Sequence, residues 1–163
     1  MARFRYRMQS VLNLKMKMET QAQQEFALAK AALDEEEEKL EALKLRKAGY
    51  EAQAQNLLKD VLRIREIIDN KAAILRMDEY IKAQIFQVRL AEEQVDKARE
   101  RLKEVIQERK TQETLRDKAF EEFMKEEGRA ESKEIDQLTS YTYGQKQINE
   151  AIPNRKKGKV LPE

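Results

Sequence analysis

Residues 26–68 read FALAKAALDEEEEKLEALKLRKAGYEAQAQNLLKDVLRIREII. Within them Phe26, Ala29, Leu33, Glu36, Leu40, Leu43, Lys47, Tyr50, Ala54, Leu57, Val61, Ile64 and Ile68 follow in alternating steps of three and four residues. A mean step of 3.5 falls just short of one α-helical turn. Such a stripe stays in line only if the helix winds left-handed around a partner. Only Glu36 and Lys47 interrupt its apolar character. A stripe this narrow cannot close a globular core; it needs one other helix.

The composition agrees. The chain has 163 residues, of which 39% are charged and 6% aromatic, with no Trp and two prolines, Pro153 and Pro162. This is the profile of a long helix or coiled coil rather than of a compact domain. Strict periodicity separates it from a disordered charged chain. There is no Cys and no His, which removes disulfides, thiolate chemistry, the usual general base and the commonest metal ligand. No apolar run is long enough to span a bilayer, and no apolar stretch follows the basic start to make a signal peptide. A net charge of +2 gives no bulk pull toward nucleic acid.

The seam runs backwards from Phe26 through Ala22, Met18, Leu14 and Val11 in steps of four, which relaxes the supercoil locally. A first helix is expected over about 4–68. Asp69-Asn70 is the poorest helix-forming pair in mid-chain, so a reversal is expected over about 69–76. A second helix follows over about 77–143, with its own seam at Ile81, Gln84, Val88, Ala91, Val95, Ala98, Leu102, Val105, Arg109, Gln112, Arg116, Ala119 and Phe123. Folding the chain at that reversal sets residues whose numbers add to 145 opposite each other. Ile64 then meets Ile81, Tyr50 meets Val95, Ala22 meets Phe123 and Glu36 meets Arg109. The expected fold is all-α, a long antiparallel two-helix coiled coil over residues 1–144. Tyr143-Gly144 reads as its stop, and the basic tail over 145–163 reads as disordered.

Catalytic, cofactor and metal residues are not indicated. The acidic run at 34–38 points around the helix cylinder rather than converging on a cation. Serines and threonines lack any activating partner. The arginines of FRYR (residues 4–7) alternate with aromatics, as in some nucleic-acid arms, but the basic density is too low for that reading. Direct membrane insertion is not expected either. What remains is the end where the termini meet: Phe4, Tyr6 and Met8 with Ile135, Leu138, Tyr141 and Tyr143 offer more apolar surface than fraying ends need.

Several of these segments resemble the FliJ family of flagellar type III export proteins. The opening FRYRMQSVLNLK (residues 4–15) is similar to the family's F-x-F/Y-x-L/M-x-x-V-L start. The later EEFMKEEGRAESKEIDQL (121–138) is similar to its E-x-K-x-I/M-D-E/Q segment, and LRMDEYIK (75–82) to its second-helix start. The resemblance covers the chain to about Tyr143. It implies a non-enzymatic antiparallel coiled coil, cytoplasmic and peripheral to the inner face of the cell membrane at the flagellar base. It further implies contact with the hexameric export ATPase FliI at Phe4, Arg5, Val11, Leu12, Arg129, Ile135 and Asp136. Contact with the export gate protein FlhA is implied at Leu43, Tyr50 and Tyr80, and export chaperones are a third class of partner. This sequence has Arg46 where some members have an aromatic residue. The alternative to an export component is a homodimeric coiled-coil spacer or tether with no ATPase partner.

Overall fold

A computed structural model of the protein describes residues 2–151. Two helices account for most of them: α1, Gln9–Lys59, and α2, Ile64–Ala151. They form an antiparallel helical hairpin, as the two matching seams predict. By contact density the chain divides into two units, Gln9–Glu113 and the combination of residues 1–8 with 114–163.

The larger unit is the hairpin proper. Its core is a single line of side chains. On α1 the half-buried or buried positions from Phe26 onward are Ala29, Leu33, Glu36, Leu40, Leu43, Lys47, Tyr50, Ala54 and Leu57. These are the seam positions read from the spacing. On α2 the seam from Ile81 to Gln112 is likewise covered at every expected position, with Val95 and Val105 almost fully buried. Near the start of α1 the match is looser. Leu14 is exposed, whereas Lys15 is half-buried and Leu12 is only 1% exposed. Arg116, expected in the α2 seam, is exposed.

The bend lies at residues 60–63, not at the expected 69–76. α1 ends at Lys59, a cation at the negative end of the helix dipole. Next to it, the Asp60 carboxylate accepts a bond from the Val61 backbone N–H, at 2.9 Å. Such a local bond competes with continued helix. α2 restarts when the Ile67 N–H donates to the Arg63 carbonyl at 3.1 Å. Glu66 in its first turn both suits the dipole and pairs with the Arg63 guanidinium at 3.1 Å. Val61, Ile64 and Ile68, expected as seam residues, are consequently exposed. Asn70, expected to break the helix, is instead buried in the seam. Its Nδ2 donates to the Tyr50 carbonyl at 3.0 Å.

Moving the bend moves the register. The Lys15 ammonium meets Glu108 at 2.6 Å, the Arg99 guanidinium lies 6.0 Å from the centre of the Phe26 ring, and the Lys47 ammonium meets Asp78 at 2.6 Å. The residue numbers of these pairs add to 123–125, about three heptads from the expected 145. Glu36 therefore faces Gln84, whose Nε2 donates to the Glu36 carboxylate at 2.5 Å and to its backbone carbonyl at 3.0 Å. Arg109, expected opposite Glu36, sits against Glu19, with its Nε in ionic contact but outside hydrogen-bond geometry, and its Nη1 donates to Glu113 at 2.7 Å. Tyr50 and Val95 are thus about 30 Å apart along the axis, at 1.5 Å per residue. A heptad pattern is unchanged by a shift of whole heptads; the direction of pairing was legible, and its register was not.

The Gln84 amide, and then Lys39, hold the Glu36 carboxyl below its ordinary range. Asp78 raises the Lys47 ammonium above its own. Both shifts favour the charged forms that bridge the seam. The far end of α2 also departs from expectation: the helix passes through Gly144, which keeps negative φ, and runs to Ala151. A glycine stops a helix when it turns left-handed, and this one does not. Of the tail expected to be disordered over 145–163, residues 145–151 are helical, and residues 152–163 lie outside the described part.

Leu12 is the most completely enclosed large side chain of the seam. Leu12→Ala is expected to destabilise the hairpin by about 2–5 kcal/mol, the usual cost of a buried leucine cavity. Gly49, which has open space at its Cβ position, gives the opposite sign: Gly49→Ala gains about 0.5–1 kcal/mol from helix propensity. Urea unfolding followed by circular dichroism checks both.

Candidate functional site

The smaller unit carries the chain's first residues and the end of α2. Residues 2–6 have no regular structure, and 7–8 form a turn before α1. The first helix thus starts at Gln9 rather than near residue 4. The reason is local: Phe4 leaves the helical path to pack on α2. Its ring meets Phe120 edge-on, with centroids 5.1 Å apart and planes at 77°, and Phe123 at 5.4 Å. Aromatic pairs in such geometry add about 0.5–1.5 kcal/mol beyond burial. Phe4 and Tyr6 are half-buried, while Arg3, Arg5 and Arg7 alternate with them and stay exposed. The segment therefore presents one apolar edge to α2 and one cationic edge to solvent.

Beyond Phe123 the 3–4 spacing of α2 continues through Glu127, Glu131, Glu134, Leu138, Tyr141, Gln145 and Ile148. No helix covers it. From Gly128 onward every described residue is exposed, including Ile135, Leu138, Tyr141, Tyr143 and Ile148. Three hydroxyls of this stretch are used internally. Thr139 donates to the Ile135 carbonyl at 2.7 Å and Thr142 to the Leu138 carbonyl at 2.6 Å, while the Gln145 amide donates to the Tyr141 hydroxyl at 3.1 Å. Leu138, Tyr141 and Ile148 face outward along one stripe with Glu134 and Gln145, and Ile135 and Tyr143 are exposed on other faces.

Of the residues that the resemblance connects with an ATPase, Phe4, Arg5, Arg129, Ile135 and Asp136 belong to this unit. All but Phe4 are exposed, and Arg129 and Asp136, two turns apart, share one face of α2. Val11 and Leu12 belong to the hairpin unit, and Leu12 is enclosed there. Leu12 shapes the seam and cannot touch a partner unless the coil opens. Of the residues connected with the gate, Leu43 and Tyr50 are half-buried in the seam and Tyr80 is exposed. The register sets Leu43 level with Tyr80, with Tyr50 one heptad nearer the bend. Phe120 was missed from the sequence because it lies beside the seam, one helical turn before Phe123. The F-x-x-F spacing was its visible signal.

The fold defines the class: an all-α antiparallel helical hairpin with an arginine-rich, aromatic start and an exposed helix end. The family model for the flagellar FliJ protein matches residues 4–147, and the chain belongs to that family, a structural component of flagellar type III protein export. In fold it is similar to CT670 from Chlamydia trachomatis, described as a YscO homolog. The TM-score is 0.70 at 20% identity, over 90% of this chain and 99% of that one. A comparison with curated proteins returned no match. No helix among the described residues is long and apolar enough to cross a membrane.

Phe4→Ala removes both ring contacts while leaving α1 and α2 intact. Backbone amides of residues 2–8 should then lose hydrogen-exchange protection, with helicity by circular dichroism unchanged. Unaltered protection would mean that the segment is held by something other than Phe4.

Proposed function

We propose that this chain is a non-catalytic coupling rod of the flagellar export apparatus, working in the cytoplasm at the inner face of the membrane. Its unit of residues 1–8 and 114–163 engages the hexameric export ATPase FliI. The observation that carries this reading is the α2 seam left without a helix, in the same unit as a row of exposed arginines. A heptad stripe that ends in Leu138, Tyr141 and Ile148 is built to be covered, and the chain's own α1 begins too late to cover it. The apolar stripe offers burial for affinity, and the exposed arginines elsewhere in the same unit offer charge that sets orientation.

Phe4, Arg5, Arg129, Ile135 and Asp136 are the proposed ATPase contacts, with Val11 and Leu12 acting behind them through the seam. Leu43, Tyr50 and Tyr80 are the proposed contact with the gate protein FlhA. Tyr80 would be the anchor there, and Leu43 and Tyr50 would support the surface from beneath. Export chaperones are a third class of partner. A stiff coil is suited to such a role because it transmits a displacement along its axis without storing it in loops.

Removing residues 2–8, or replacing Leu138 and Tyr141 by Glu, should abolish stimulation of the ATPase by this chain while preserving its helical signal. Full stimulation by either variant would contradict the proposed contact.

A further inference from the structure

Between residues 68 and 90, α2 carries a second apolar stripe, diametrically opposite the seam that packs on α1. It consists of Ile68, Ala72, Leu75, Glu79, Ala83, Phe86 and Leu90. At 100° per residue these positions cluster on one face, about 180° around the helix from Asn70, Met77, Ile81, Val88 and Val95. All seven are exposed, with Ile68 61%, Leu75 58%, Phe86 56% and Leu90 39% open to solvent. Because α1 occupies the other side, nothing among the described residues covers this face. After Leu90 the same face turns polar with Glu93 and Lys97.

We propose that a second copy of this chain covers the stripe, through an antiparallel α2–α2 contact with its two-fold axis at Glu79. The steps along the stripe are four, three, four, four, three and four, a sequence that reads the same in both directions about Glu79. Rotation about that point sets Ile68 opposite Leu90, Ala72 opposite Phe86 and Leu75 opposite Ala83, and then repeats the same pairs in reverse. At both inner layers a large side chain meets a small one, which lets two helices approach closely and interdigitate. An isologous interface demands this self-complementarity; a stripe serving an unrelated helix has no reason to show it.

Charge follows the same symmetry. Glu79 would face its own copy, but Arg76 and Lys82 lie three residues to either side. In the antiparallel arrangement each Glu79 comes one turn from the partner's Arg76 and the partner's Lys82. None of these three side chains forms an ion pair within the chain among the described residues. They are free to bridge between copies. Eight large apolar side chains, with each Phe burying about 150–250 Å², bring the contact to the order of 1,000 Å². That is the lower end for specific association, so the dimer is expected to be weak and concentration-dependent.

Sedimentation of the full chain from low micromolar to about millimolar concentration is the test. A monomer–dimer equilibrium is expected, and Phe86→Glu should weaken it at least tenfold with helicity unchanged. The chain has no native cysteine, so Glu79→Cys places a single thiol on the predicted axis. A short bismaleimide should link two copies of Glu79→Cys much faster than two copies of Glu104→Cys, which lies on the same helix face but far from the axis. A monomer throughout the concentration range overturns the proposal. So does equal linking of the two variants, or a dimer that Phe86→Glu leaves unchanged, since each would place any association elsewhere.

Discussion

The hairpin depends on where a few polar side chains sit inside an otherwise apolar seam. Lys15 with Glu108, Glu19 with Arg109, Glu36 with Gln84, Lys47 with Asp78 and Asn70 with the Tyr50 carbonyl each find a partner across the coil. Leucines and alanines in heptads pack acceptably at any whole-heptad offset. Polar groups do not. In the offset whose residue numbers add to 145, Glu36 does meet Arg109, but Lys47 falls opposite Ala98 and Gln84 opposite Val61. Asn70 would fall in the bend, without the Tyr50 carbonyl to which it donates across the seam. One buried asparagine is known to specify register in coiled coils at some expense in stability. Here it does so together with four charged or amide layers.

This explains what could and could not be read from the amino-acid order. The period of 3.5 called for two helices, folding the chain back on itself made them antiparallel, and the spacing named nearly every seam residue from Phe26 to Leu57 and from Ile81 to Gln112. The turn-forming habit of Asn70 points to a bend there, yet a seam position with a carbonyl across from it is an equally good home, and the bend falls at 60–63. Asp60, whose carboxylate bonds the next N–H, gave the weaker composition signal but the stronger local interaction. The start of α1 was set too early for a similar reason. Phe4 fits the helical spacing, yet its contacts with Phe120 and Phe123 are available only if it leaves the helix.

Helix lengths then carry the functional consequence. α2 has 88 residues and α1 has 51, so α2 holds more seam than its partner can cover. The excess appears beyond Gly128 as Leu138, Tyr141 and Ile148. The proposed ATPase contact and the proposed self-contact of α2 use different faces of different segments. One follows the seam past its last covering residue, and the other lies opposite the seam near the bend. Apolar residues in the wrong place for the hairpin are thus the informative ones.

The register is best measured with spin labels, which the absence of native cysteines makes direct. Labels at Lys44 and Lys82 should lie within about 20 Å, since these residues are nearly level across the coil. Labels at Lys44 and Arg101 should be separated by more than about 30 Å, roughly 21 residues of axial rise. A short distance for Lys44 with Arg101 and a long one for Lys44 with Lys82 would contradict the account, because the polar layers would then have failed to choose the register.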